Sequence, residues 1–179
     1  MLRPANPLRI IIMKRLLIMA ALSTATQAAP LTNYEVIDGD TVHGYVNNEY
    51  VKIRLNCIDA PETNPNTQAY GPEATQTLSY LLSLGSVDFE STGKDIYGRE
   101  TGYLYVNGYS INQEMVIRGA AWNYEYYCGS EFELEQEFAY YYGLGLWSDS
   151  EAKDPYCFRK NLDYDYCYYN PESNLILDD

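Results

Sequence analysis

The chain has one histidine, His43, and four cysteines with no Cys-x-x-Cys pair. That excludes the usual ligand spacings of a structural zinc site. It is also short of positive charge: 12 Lys and Arg stand against 25 Asp and Glu, for a formal net charge of -13 and a pI near 4.4. A generic basic nucleic-acid binder is thereby excluded, so whatever the protein binds is not held by bulk charge. Apolar runs are short, the longest being Leu16 to Leu22, about a third of the ~20 residues that span a bilayer. What remains is 179 residues at 46% hydrophobic content, which suits one packed domain and argues against a disordered chain.

The first 28 residues contain four bases, Arg3, Arg9, Lys14 and Arg15, and no acid. Lys14-Arg15, the apolar run, Ser23 and Thr24, and then Thr26-Gln27-Ala28 follow the positive, apolar, small-residue order of a secretory signal peptide. Residues 1–28 are expected to be such a signal, with Met13 as an alternative start and cleavage after Ala28. The protein is then expected to be secreted or periplasmic, with no stable membrane insertion. Cys57, Cys128, Cys157 and Cys167 all follow the signal, and an oxidising compartment favours disulfides. Four cysteines allow three full pairings. At least one bridge among Cys128, Cys157 and Cys167 is expected, with Cys57, at the end of an apolar strand, as a simple core thiol.

Alternation and turn residues predict strands over Tyr34–Ile37 and Tyr50–Leu55, with Asn47-Asn48 as a hairpin turn between strands. Asn56 to Thr67 reads as a loop. Pro72 and Glu73 open a helix whose Ala74, Leu78, Leu81 and Leu82 recur at helical spacing. Strands follow at Val87–Glu90 and Gly102–Val106, with a turn from Gly93 to Arg99 and another at Asn107-Gly108. Helices are expected over Ile111–Arg118, stopped by Gly119, and over Glu131–Tyr142, closed by Gly143 and Gly145. Short strands with hairpin turns suggest a closed or nearly closed sheet with helices packed outside it. Asp149 to Asp179 reads as an extended acidic tail.

Three clusters carry chemistry. Asp38-Gly39-Asp40 sets two acids around a bend, a bland turn or a pair of oxygen ligands for a hard cation such as Ca²⁺. In Arg54-Leu55-Asn56-Cys57-Ile58-Asp59-Ala60-Pro61-Glu62, Asp59 adds a hard-ion ligand, Glu62 a base and Arg54 a fork for phosphate. The alternative there is a structural ion pair. Asp95-Ile96-Tyr97-Gly98-Arg99 supplies a second arginine on a turn. A metal, a base and two guanidinium groups are what phosphodiester hydrolysis requires.

At these residues, and at Tyr70-Gly71-Pro72-Glu73-Ala74, Val116, Arg118-Gly119, Gly145-Leu146-Trp147 and Phe158-Arg159-Lys160, the chain resembles the staphylococcal (thermo)nuclease family. The resemblance runs from about Tyr34 to Lys160. It implies an α+β protein, an OB-fold five-stranded β-barrel with three helices over residues 29–160, followed by an acidic, tyrosine-rich tail at 161–179. It further implies a monomer that cleaves DNA and RNA with Ca²⁺. Asp40, Asp59 and the Ala60 carbonyl would hold the metal, with Asp38 supporting them from behind. Glu62 would be the general base, Arg54 and Arg99 would grip the scissile phosphate, and Tyr97 would contact a neighbouring one.

Departures from the family pattern concern binding. Thr63 to Ala69 lacks lysine, and Ile96 stands where a lysine would help hold phosphate. The aromatic segment Ala121 to Tyr127 offers Tyr124, Tyr126 and Tyr127 for stacking on a base. Eleven tyrosines fall between Tyr124 and Tyr169; they read as rings covering the barrel, or as a stacking surface. The competing function is a non-catalytic OB-fold module that binds nucleic acid or protein.

Overall fold

A computed structural model of the protein describes residues 28–63, 65–150 and 152–162, apart from the side chains of Tyr126 and Tyr127. The expected signal segment and residues 163–179 of the tail lie outside the described residues. No helix among those described is long and apolar enough to cross a membrane.

Strands β1 (Ala29–Val36), β2 (Thr41–Val46) and β3 (Glu49–Leu55) form an antiparallel meander. The β2–β3 turn has Asn47 and Asn48 both at positive φ, the geometry that twists a two-residue hairpin in the sense of its strands. Strands β5 (Val87–Lys94) and β6 (Glu100–Val106) form a second hairpin, and the two-residue β7 (Tyr109–Ser110) extends it. β1 pairs with β5, and β3 closes on β6 in parallel, with Ile53, Arg54 and Leu55 opposite Glu100, Thr101 and Gly102. β1, β2, β3, β6 and β5 thus form a closed five-stranded barrel, as the resemblance implied.

Helix α1 (Gly71–Leu82) presents Ala74, Leu78, Leu81 and Leu82 to the core. Helix α2 (Ile111–Ile117) follows β7, and its N-terminus is capped by Ser110, whose Oγ accepts the Gln113 N–H. Val42, Ile53, Leu55, Ile58, Leu104, Met115 and Val116 complete a dry interior. Each fully buried side chain of this size contributes about 1.5–3 kcal/mol relative to exposure. Buried Asn112 is fully used: its Oδ1 accepts the Leu104 N–H, and its Nδ2 donates to the Asn56 and Gly102 carbonyls.

Several details depart from the sequence reading. The stretch expected as a plain loop contains β4 (Ile58–Asp59), which pairs with β8 (Trp122–Asn123). A single helical turn, α3 (Glu125–Cys128), precedes the third long helix, α4 (Glu133–Tyr141). The region read as an extended tail contains a short helix, α5 (Pro155–Arg159). Asp154 caps it by accepting the Tyr156 and Cys157 N–H groups, and Pro155 suits the first helical position.

Cys57 is not a core thiol. It is bonded to Cys128 across 71 residues of sequence, so the end of β3 is tied to α3. The reason is geometric: β4–β8 pairing brings the two segments together, which neither spacing nor hydropathy reveals. Cys157 is also disulfide-bonded, and Cys167 lies outside the described residues. Tyr140 packs edge-on against Trp147, and Tyr141 against Tyr142. These three tyrosines remain largely exposed rather than covering the barrel.

Candidate active site

The two acids of the first cluster are aimed by a bend that only glycine permits. A Cβ on Gly39 would lie 2.6 Å from the Ala60 Cβ and 2.9 Å from the Ala74 Cβ. The bend therefore presses against both the β4 segment and helix α1. Asp38 Oδ1 accepts the Asp40 N–H at 3.0 Å and braces the turn. Asp40 is 6% exposed; its Oδ1 accepts from the Thr41 hydroxyl and its Oδ2 accepts the Ala60 N–H at 2.8 Å.

Asp59, 2% exposed, arrives from β4. Arg54, at the end of β3, reaches both aspartates with one nitrogen: Nη2 lies 3.0 Å from Asp40 Oδ2 and 2.7 Å from Asp59 Oδ1. Its Nη1 donates to the Leu55 and Ile58 carbonyls. Burial pushes the Asp40 carboxyl well above the ordinary range, against the pull of Arg54, and Asp38 and Asp59 push the same way. For Arg54 burial alone would lower the pKa, but Asp40 and Asp59 outweigh it and hold the guanidinium above its usual value.

Arg99 sits on the β5–β6 turn. Asp95 Oδ1 accepts the Tyr97 and Arg99 N–H groups, and its Oδ2 accepts from Arg99 Nε at 2.6 Å. Partial burial would raise the Asp95 pKa, but these bonds from Arg99 prevail and hold it below the usual value. Gly98 takes the positive φ that closes the turn. Tyr97 is 76% exposed, and the Arg99 guanidinium lies 5.8 Å from its ring centre.

Sequence reasoning gave no role to two further residues. Arg159, from α5, spans Asp59 and Glu62. Its Nη2 is 2.9 Å from Asp59 Oδ2, and its Nη1 is 3.2 Å from Asp59 Oδ1 and 2.6 Å from Glu62 Oε1. Burial works against this charge, but Asp59 and Glu62 raise its pKa above the ordinary arginine value. Gln68, 4% exposed, ties the loop that carries Glu62 to the segment leading into α5. Its backbone N–H donates to the Glu62 carbonyl, its Oε1 accepts the Glu62 N–H, and its Nε2 donates to the Lys153 carbonyl. The Asp-Pro pair at 154–155 was a readable helix start, and it would have placed Arg159 on a helix; no sequence signal marks Gln68.

One cleft of about 690 Å³ is lined by Asp38, Asp40, Arg54, Asp59, Glu62, Arg99 and Arg159. Tyr97 and Tyr124 also line it, whereas Tyr140, Tyr141 and Tyr142 do not. Every side chain expected in the chemistry therefore lines one cleft, apart from Tyr126 and Tyr127, whose side chains are outside the description; Ala60, expected to offer its carbonyl, is not among the lining residues. Asp40, Asp59 and Glu62 do not bring three carboxylate oxygens within 4.8 Å of one another. Guanidinium groups stand between them. Asp40 and Asp59, two buried carboxylates that share one nitrogen of Arg54, are hard oxygen ligands of the kind a divalent cation takes.

Comparison with known proteins identifies the family. The pattern of the family described as "Staphylococcal nuclease homologue" matches residues 52–149, a span that leaves out both Asp40 and Arg159. An "Uncharacterized endonuclease" of Haemophilus influenzae is 34% identical over 165 residues, covering 88% of this chain and 91% of its own. A "Micrococcal nuclease" of Shigella flexneri is 37% identical over 138 residues, covering 70% of this chain and 77% of its own. With the closed barrel, these similarities establish that the chain belongs to the staphylococcal nuclease family and is a nucleic-acid hydrolase.

Proposed function

We propose that the protein is a Ca²⁺-dependent endonuclease that hydrolyses both DNA and RNA. The observation that carries this is the convergence of Asp40, Asp59, Glu62, Arg54 and Arg99 on one cleft wall from three separate parts of the chain. Asp40, Asp59 and the Ala60 carbonyl would hold the cation, which would polarise the phosphoryl oxygens as a Lewis acid.

Glu62 takes a proton from the attacking water. As the water oxygen bonds to phosphorus, the bond to the leaving sugar oxygen breaks, and that oxygen takes up a proton from solvent to leave as an alcohol. Negative charge grows on the phosphoryl oxygens during this exchange. Arg99, already oriented by Asp95, meets that charge without reorganising, so it stabilises the transition state more than the ground state. Arg54 does the same from beside the two aspartates, once its fork shifts from them towards phosphate. Tyr97 and Tyr124 line the approach for the flanking nucleotides.

The first 28 residues and the Cys57–Cys128 bridge support export to an oxidising compartment, secreted or periplasmic. The test of activity is digestion of single-stranded DNA by the purified protein with Ca²⁺, with and without chelator, beside Glu62→Gln. Cleavage lost in both controls is the expected result. Silence from folded wild-type protein across a metal and salt series would favour the non-catalytic binding module.

A further inference from the structure

The acids assigned to the cation have a partner that the mechanism does not use. Asp59 gives both oxygens to Arg159, and Glu62 gives one, so a single guanidinium from α5 spans the expected metal ligand and the expected base. Two carboxylates this close repel each other, and buried charge is tolerated only when paired. Arg159 supplies that pairing from 97 residues beyond Glu62. Its side chain is 38% exposed, against 3% for Asp59, so the cation can leave the pair towards solvent while the acid cannot. Helix α5 is docked by this side chain together with two other contacts: Asp154 caps it, and the Gln68 side chain ties the preceding Lys153 carbonyl to the Glu62 loop.

From this we infer that Arg159 is a positioning residue serving as the site's own counter-ion, which holds Asp59 and Glu62 together and yields Asp59 to an incoming divalent cation. The inference rests on the reading of Asp40 and Asp59 as metal ligands. A divalent ion and a guanidinium cannot share the Asp59 oxygens without strong mutual repulsion. Metal entry therefore works against this contact, and the affinity of the site for metal is set partly by how firmly α5 is docked. Once released from Asp59, the fork keeps its bond to Glu62 and points it across the cleft that Arg159 itself lines.

The test is calorimetric titration of Ca²⁺ into the full chain and its variants, with hydrogen exchange at the backbone amides of residues 156–160. Arg159→Ala is expected to bind Ca²⁺ about tenfold more tightly than wild type, because one positive charge beside the ion is gone. Arg159→Lys keeps a cation but not the fork, should bind with intermediate affinity, and carries the test if the alanine variant fails to fold. In wild type, Ca²⁺ should speed exchange in α5. A merely structural arginine would give weaker or unchanged Ca²⁺ binding on removal, and either result overturns the inference. Asp59→Asn should abolish binding in every background. If neither wild type nor Arg159→Ala binds Ca²⁺, the metal reading and the inference fall together, whereas equal affinities remove the inference alone.

Discussion

Arg159 Nη1 lies 2.6 Å from Glu62 Oε1, although the residues are 97 positions apart in sequence. The last described helix of the chain thus reaches back to a loop that leaves the barrel before helix α1. Asp59 and Glu62 are thus joined by a side chain from the far end of the described residues.

Replacing Glu62 tests the base directly. Glu62→Gln keeps the shape and a hydrogen-bond acceptor for Arg159, but cannot take the water's proton. Turnover on single-stranded DNA should fall by about 10²–10⁴-fold, while Ca²⁺ affinity, measured by calorimetry, changes little. Arg99→Ala should lower kcat by about 10²–10³-fold; an unchanged kcat would remove Arg99 from the transition state.

Asn112 ties β6 to Asn56, just past the end of β3, from within the core. Asn112→Leu leaves the Leu104 N–H and the Asn56 carbonyl without their side-chain partner in the core. A loss of about 1–3 kcal/mol is expected, read as a lower urea midpoint. Activity below the unfolding transition should persist.

Asp154 gives stability a pH dependence of known sign. Burial, with the field of Asp59, raises its folded pKa from 3.8 to about 6. Between those values the folded protein binds a proton that the unfolded chain has already lost, so stability falls as pH rises from about 4 to 6. Asp154→Asn keeps a capping oxygen and removes the titration. Relative to wild type, the variant should gain about 1–3 kcal/mol across that window in denaturant titrations. A constant difference from pH 4 to 6.5 would refute this.

Net charge sets a further expectation. At -13 the protein repels a polyanion at long range, and salt screens that repulsion within about 10 Å at 0.1 M. Cleavage of single-stranded DNA at fixed Ca²⁺ should therefore rise from about 10 mM to about 150 mM monovalent salt before local phosphate contacts weaken. A monotonic fall from the lowest salt would contradict it.

The strands and the three longer helices were legible because their signals are local, while the closed five-stranded barrel was legible through the family resemblance. Asn47-Asn48 and Asn107-Gly108 mark turns, Pro72 marks a helix start, and Gly119 a helix stop. The acids and arginines of the cleft were legible because each sits in a short motif. What was not legible depends on contacts across the chain. Cys57 meets Cys128 only because β4 pairs with β8, and Arg159 meets Asp59 only because Gln68 and Asp154 seat α5. A stretch dominated by acidic residues and tyrosines also masked the helix start at Asp154-Pro155.

The barrel closes at one parallel seam, where Arg54 lies opposite Thr101 and Ile53 opposite Glu100. Arg54 and Arg99 therefore stand on either side of the join, and three residue pairs set their spacing. A slip of one residue would displace one arginine from the other by about 3.3 Å, enough to ruin a shared grip on phosphate. Such non-local pairing forms slowly, after the hairpins on each side. During refolding, hydrolysis is therefore expected to return with the registered seam and not with the hairpins alone.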